Sequence, residues 1–482
     1  MAYFHGVKAS EVSTSLLATV STTAGLPVVF GTAPVHLTSD PKAYVNKPVI
    51  CYSWDEAVKA LGYSSKWDEY TLSEVMYSEF KLYGVKPVIF VNVLDPEKHK
   101  TAVTDTEGHV VSSKKVVIDD AVLLDTVKVK TAAETEPAVL NTDYTASHND
   151  DGQTVISIVE GGALASSEKI FIDYDKVDAS KVKADDVIGG ASADGKSKGM
   201  ELIDSIYAMF SLVPGVIAAP GWSENPTVAA VMKAKALNID ELFRCIVLTD
   251  VDTKEVKGYA NANEWKNKNS YTGVNQVVCY PCVRQGDMIF HMSTHILGII
   301  GVMDADNNDV PYQSPSNRSM QITGTCLADG TEVTLSLSQA NLLNSQGIMT
   351  AINFSGGFKS WGNYTGAYPS NTDVKDSFIC VRRMFDWQYQ TFILQYWQKV
   401  DAPLTPRLIK TILDSESIRL NGLVSRGYLL GADIKFNEEE NPTTDLLAGI
   451  IRFHSYITPP VPAQEIDDVL EYDVNNFETL FS

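Results

Sequence analysis

The sequence predicts a multidomain α/β (α+β) protein with an inserted β-sandwich and extended arms at both ends. Three observations carry this prediction. Apolar runs of strand length alternate with helical segments over residues 21–104 and 198–360. Short alternating runs interrupt that pattern over 105–197, and the ends, 1–20 and 464–482, read as extended segments outside any core. A helical, aromatic stretch over 361–463 completes the division, and 482 residues are too many for one ordinary core.

In chain order, LPVVFG from Leu26 is a buried strand, and residues 53–61 form a short helix. A second helix covers 71–83, with Thr71 and Glu74 spaced as a capping box and Leu72, Val75, Met76, Phe80 and Tyr83 on one face, until Gly84 ends it. KPVIFVNVLD, from Lys86, has the continuous apolarity of a strand covered on both faces. The runs HVVSS, KKVVID, TVKVK, TVISIVE and KIFIDYD are separated by polar turns, with Asp151 and Gly152 marking a hairpin. The α/β pattern resumes with a helix from Met200, the strand PGVIAAP, a helix over 226–237, and strands over 245–250 and 274–283. The apolar stretch 288–303 contains His291, Ser293, Thr294 and His295 and reads as a buried helix, too short and polar for a membrane span. Helices over 378–399 and 406–421 and a strand pair, GADIKF with AGIIRFHSYI, follow. The aromatic residues Phe385, Trp387, Tyr389, Phe392, Tyr396 and Trp397 recur at helical spacing and read as packing groups.

The 39 basic and 60 acidic residues leave a net charge of −21, which disfavours nucleic acid and anionic lipid as partners. Cys51, Cys245, Cys279, Cys282, Cys326 and Cys380 are scattered too widely for a disulfide framework, and the N-terminus has no signal-peptide pattern. Gly190, Gly195, Lys196 and Ser197 satisfy the loose spacing of a phosphate-binding loop, with Asp250 placed to hold Mg²⁺. This is the basis of an alternative reading, a nucleotide triphosphatase, but the residues before the loop are too charged for the strand that such a loop needs. Cys279 and Cys282 form one C-x-x-C without a second pair, and His291 and His295 lack the glutamate of a zinc protease between them. Asp304, Asp306 and Asn308 imitate a calcium loop, but Asp309 stands at the required glycine and Pro315 at the bidentate glutamate, so a polar surface turn is expected. No catalytic residue, cofactor or metal ligand is assigned.

Several stretches together resemble the contractile bacteriophage tail sheath protein family, in its temperate-myophage branch. They are His5-Gly6-Val7 through Ser21-Thr22, NKPV at 46–49, PVIFVNV at 87–93 and PGVIAAPGWSENPTV after the helix at 199–210. The most specific is NLLNSQGIMTAINFSGGFKSWGNYT at 341–365, which is similar to the family's LLN…G…T…G…WGNRT pattern, followed by TPRLIKTILDSESIRLNGLVSRGYLLGADIKFNEEEN. Tyr364 stands where an arginine is usual, which removes any ion pair made there in relatives.

The resemblance implies a non-enzymatic subunit with a core likened to subtilisin and outward-facing inserted domains. Six subunits per ring would stack helically on a tail tube, with baseplate and tail terminator proteins as further partners, in a virion assembled in the bacterial cytoplasm. Contraction would drive the tube through the host envelope for genome ejection; a non-phage contractile injection particle fits equally. The arms would add strands to neighbouring subunits. The alternation of Ile466, Asp468, Leu470, Tyr472 and Val474, after Pro459, Pro460 and Pro462, suits this use, as do Gly6, Val7, Ala9 and Val12 at the other end.

Overall fold

Apolar runs with no polar face belong in a sheet covered on both sides. In the computed structural model, which describes residues 20–21, 23–132, 135–192 and 195–481, these runs form one eight-stranded sheet. Its strands are β1 (Pro27–Gly31), β2 (Val49–Cys51), β3 (Val88–Asn92), β4 (Val216–Ala218), β5 (Ile246–Asp250), β6 (Gln276–Cys279), β7 (Ile348–Asn353) and β8 (Phe358–Trp361), in the order β8-β7-β6-β5-β4-β1-β3-β2. The inner strands pair in parallel, and only the edge strands β2 and β8 are antiparallel to their neighbours. The run expected as one strand over 274–283 is divided, because after β6 the chain passes Pro281 into a separate three-stranded sheet that contains Cys282–Gln285. The chain leaves β1 toward β3 and later returns to the other side of β1 for β4. The C-terminal ends of β1 and β4 therefore flank the point where strand order reverses.

Helices cover the sheet. α1 (Trp54–Leu61) is capped by Ser53, whose hydroxyl accepts from the Glu56 amide at 3.2 Å. α2 (Thr71–Tyr77) runs into a π-helical turn (Ser78–Tyr83) that ends at Gly84. The expected capping box does not form. Thr71 already lies inside the first turn and exchanges hydrogen bonds with Thr32, while Glu74 faces His291. α3 (Pro226–Leu237) begins as read, with the Asn225 side chain accepting from Thr227 and Val228. α4 (Tyr259–Lys268) follows, and α5 (Met292–Asp306) is buried along almost its whole length, which explains its lack of a polar stripe. The segment from Met200 differs from the expected single helix: a 3₁₀ turn (Gly199–Ser205) precedes a short α-helix (Ile206–Phe210).

α6 (Ile379–Tyr396) and α7 (Pro406–Ser425) pack with the two-stranded sheet Gly431–Lys435/His454–Thr458 around Met384, Leu420, Leu423, Tyr428, Leu429 and Ile434. This layer is joined to the sheet core by a buried two-pronged pair, Arg383 to Asp304. Asp304 is thus not part of a polar surface turn: it lies within α5 and is fully buried, and Asp309 accepts from the Thr23 amide (2.9 Å) and hydroxyl (3.1 Å).

Between Lys100 and Val177 the chain forms two small sheets. One contains Tyr144–His148, Thr154–Ile158 and Lys115–Ile118; the other is built on Lys169–Val177. They enclose a separate cluster including Val116, Ile156, Leu164, Ile170 and Ile172. Val177, Val182 and Val187 pack in the main cluster, short of the expected limit at residue 197. The arm residues Gly6, Val7, Ala9 and Val12 lie outside the described residues.

Candidate functional site

Open α/β sheets hold ligands where strand order reverses. Here that place is filled by side chains. Glu74 comes from the first turn of α2, Glu224 from the loop after β4, Asp250 from the end of β5, and His291 caps α5. The His291 amide donates to Glu74 Oε1 at 2.6 Å; Nδ1 lies 2.8 Å from Glu74 Oε2, and Nε2 lies 3.6 Å from Glu224 Oε1. Asp250 accepts from the Ser293 amide (3.0 Å), the Ser293 hydroxyl (2.5 Å) and the Ser223 hydroxyl (3.4 Å).

Burial pulls the His291 imidazole toward neutrality, but the Glu74 and Glu224 carboxylates outweigh it and raise its pKa well above the usual 6.5. Burial likewise works to raise Glu224, and its bond to His291 brings it below the ordinary carboxylate value. Burial pushes Asp250 up to about 6, against the opposing pull of His291 and Ser293. Chemically this is a clamp. Both ring nitrogens of His291 face carboxylates, and the two serine hydroxyls are bound to Asp250, so the ring is not placed to activate a nucleophile. His295 fits the expectation of a core histidine: it meets the Tyr83 hydroxyl at 2.9 Å, and burial pushes it down to about 3. His291 does not, because it joins α2, α5 and the loop after β4. The sequence signal for it was Glu74, the one charged residue of α2.

The Gly190–Ser197 spacing folds as a tight hairpin, with Gly190–Ala191 antiparallel to Ser197–Lys198. The Ser192 amide and hydroxyl both donate to the Lys196 carbonyl, and the Gly195 amide donates to Ser192. The Ser192 and Gly195 amides are thus used within the turn, and a helix precedes it where a phosphate loop needs a strand. A Cβ on Gly189 (φ 74°) would stand 1.8 Å from the Lys198 carbonyl oxygen, so this glycine serves a chain crossing. Asp250 is committed to Ser293, not to a cation. All six cysteines are free and buried; burial pushes the Cys282 thiol up to about 12. Among the described residues, no group of three or more His, Cys, Asp or Glu could hold a metal, and no helix is long and apolar enough to cross a membrane.

The C-terminal segment is the other candidate site. After the buried Pro459, residues 461–473 have no regular structure, and Pro460–Gln464 border an open groove of about 640 Å³. There the Tyr364 hydroxyl donates to Gln464 Oε1 at 2.8 Å, and the Tyr364 ring stacks on Tyr368 at 3.8 Å. An aromatic stack thus forms at Tyr364, the position at which the resemblance leads one to expect arginine. Beyond this tether Ile466 is 89% exposed, Leu470 87% and Tyr472 74%. Asp468 is exposed with them, and Val469, on the opposite side of the alternation, is exposed too. Val474, the last residue of the expected strand, instead begins a short 3₁₀ helix (Val474–Phe481). No strand partner for 466–474 exists among the described residues.

No protein-family model matches the chain. It is 26% identical over 490 aligned positions to the tail sheath protein of Burkholderia phage BcepMu, covering 96% of this chain and 95% of that protein. Its fold is similar to a chain of the anti-feeding prophage baseplate (TM-score 0.60, 14% identity, 98% and 100% covered). It is also similar to a chain of the PVC extracellular contractile injection system sheath complex in its contracted state (TM-score 0.56, 13% identity, 99% of each). The similarity to contractile tail sheath proteins thus runs from end to end of the chain, in sequence and in fold.

Proposed function

We propose that this protein is the structural subunit of a contractile tail sheath. It polymerises as stacked six-membered rings around a tail tube and contracts to drive that tube through a host envelope. The C-terminal arm carries this reading: Ile466, Leu470 and Tyr472 are large apolar residues held in water by a tether at Gln464, a placement that costs free energy unless a neighbour covers them. The two-stranded sheet Gly431–Lys435/His454–Thr458 supports it as an acceptor, since it packs one face on the helices and has both outer edges unpaired among the described residues. A donated strand of this length makes about five ladder bonds, each on the order of 1 kcal/mol net, modest singly and large over a lattice. Gly6, Val7, Ala9 and Val12 act in the same way from the other end. The part between Lys100 and Val177 is the outward-facing inserted domain. The tube, baseplate and terminator proteins are the other partners, and the place of action is the virion tail; a non-phage injection particle remains the same mechanism in another setting. The subunit is not an enzyme.

Electron microscopy of the purified chain tests this: wild type forms long tubes. Leu470→Pro removes a ladder donor and yields a folded subunit, by circular dichroism, that stays unassembled. Normal tubes from that variant would overturn strand donation.

A further inference from the structure

The six cysteines are scattered in sequence, and the one short spacing, Cys279-x-x-Cys282, is divided between two sheets. Cys279 ends β6, paired with Asp250 of β5. Cys282 opens the next strand (Cys282–Gln285), which lies between Met288–Phe290 and Gly324–Cys326 in the separate three-stranded sheet. There its antiparallel partner is another cysteine: the register sets Cys282 opposite Cys326, Val283 opposite Thr325 and Arg284 opposite Gly324.

Residues directly opposite in an antiparallel pair send their side chains to the same face, with Cα atoms about 4.5 or 5.5 Å apart and Cβ atoms about 4.5–5.5 Å apart. A disulfide takes Cα separations of about 4.4–6.8 Å and Cβ separations of about 3.5–4.5 Å, so side-chain rotation and a small approach of the strands suffice. The Thr253 hydroxyl ties the two strands at this point. It lies 3.5 Å from Cys282 Sγ and accepts from the amide of Ala328, two residues after Cys326, at 3.0 Å. In the closed sheet both thiols are unreactive: burial pushes Cys282 up to about 12 and Cys326 up to about 11, and the thiol is a far weaker nucleophile than the thiolate. Reaction therefore goes through opening of the sheet. Gly324–Cys326 is a three-residue edge strand that runs into a tight turn, where the Gly330 amide donates to Leu327, so few ladder bonds hold it closed.

We propose that Cys282 and Cys326 are a redox pair that closes a cross-strand disulfide when the chain meets a low-molecular-weight disulfide, locking the segment that carries α5. In the opened sheet one thiolate attacks the small disulfide, forming a mixed disulfide and releasing one small thiol. The second thiolate then attacks the protein sulfur of that bond and releases the other. The protein gives up two electrons and two protons, and one small disulfide becomes two thiols. The new bond closes the chain from 282 to 326 into a loop that contains all of α5, with His291 at its start and Asp304, the partner of Arg383, near its end. Cross-linking a loop of this kind restricts the unfolded chain and so favours the fold. The inference goes beyond the sheath reading and does not depend on it.

The test equilibrates the full chain with oxidised or with reduced glutathione, a few degrees below its denaturation midpoint so that the sheet can open. Thiols are then counted in denaturant, and peptides are mapped without reduction. Oxidation should remove two of the six thiols and link the peptides that contain Cys282 and Cys326. It should also raise the denaturation temperature by several degrees, reversibly on adding dithiothreitol. Each variant is compared with its own reduced form: Cys326→Ala should lose both the link and the rise, and Cys279→Ala should keep both. Three results would overturn the proposal. One is the absence of a Cys282–Cys326 link in oxidised wild type. Another is a two-thiol loss that survives Cys326→Ala, which would assign the bridge to Cys279 and Cys282. The third is a Cys282–Cys326 link that leaves the denaturation temperature unchanged or lowers it.

Discussion

His291 is worth most at the scale of single residues. Its imidazolium lies between Glu74 and Glu224, with Asp250 and Cys282 the other titratable groups close by. Its folded pKa is raised above 6.5, so its stabilisation is fully present below that value and is lost as pH rises through the folded pKa. Wild type should therefore show a fall in denaturation temperature above pH 6.5 that is much shallower in His291→Gln. That variant also strands two carboxylates, which costs on the order of 3 kcal/mol at neutral pH. Thermal scans from pH 5 to 9 check both; parallel pH profiles for the two proteins would show that His291 does not titrate in the native clamp.

Among elements, the hairpin at Gly190–Ala191 and Ser197–Lys198 shows how a motif can match in spacing and fail in geometry. Its amides close the turn, and Gly189 admits a chain crossing instead of a phosphate. Lys196→Ala should leave denaturation temperature and tube assembly unchanged, and no ATP turnover should be measurable in either protein. Saturable Mg²⁺-dependent ATP binding lost in the variant would restore the nucleotide reading.

At the scale of the molecule, the small β region has its own cluster, and its first and last strands place Lys100 and Val177 directly opposite each other. Replacing 101–176 with a short Gly/Ser linker should therefore close without strain, costing the main cluster only Leu123 and leaving tube formation intact. A deletion that folds by circular dichroism but forms no tubes would place this region in the sheath wall.

Sequence alone determined the elements whose signals are local. Asn225 and Pro226 fix the start of α3, and the apolar runs of β1, β3 and β5 can be stable only in a covered sheet, which made it largely parallel. The exposed alternation after Pro459 was also legible, because nothing nearby in the chain could pair with it. Tertiary structure decided what depends on distant partners. Thr71 and Glu74 have the spacing of a helix cap, yet Thr32 and His291 take them, because a buried polar group binds whatever donor or charge the fold brings closest. Asp304 reads as a loop ligand until Arg383, from another helix, neutralises it inside the core. Glu224 and His291 are 67 residues apart in the chain and carry no shared motif; only the reversal of strand order beside β1 brings them together.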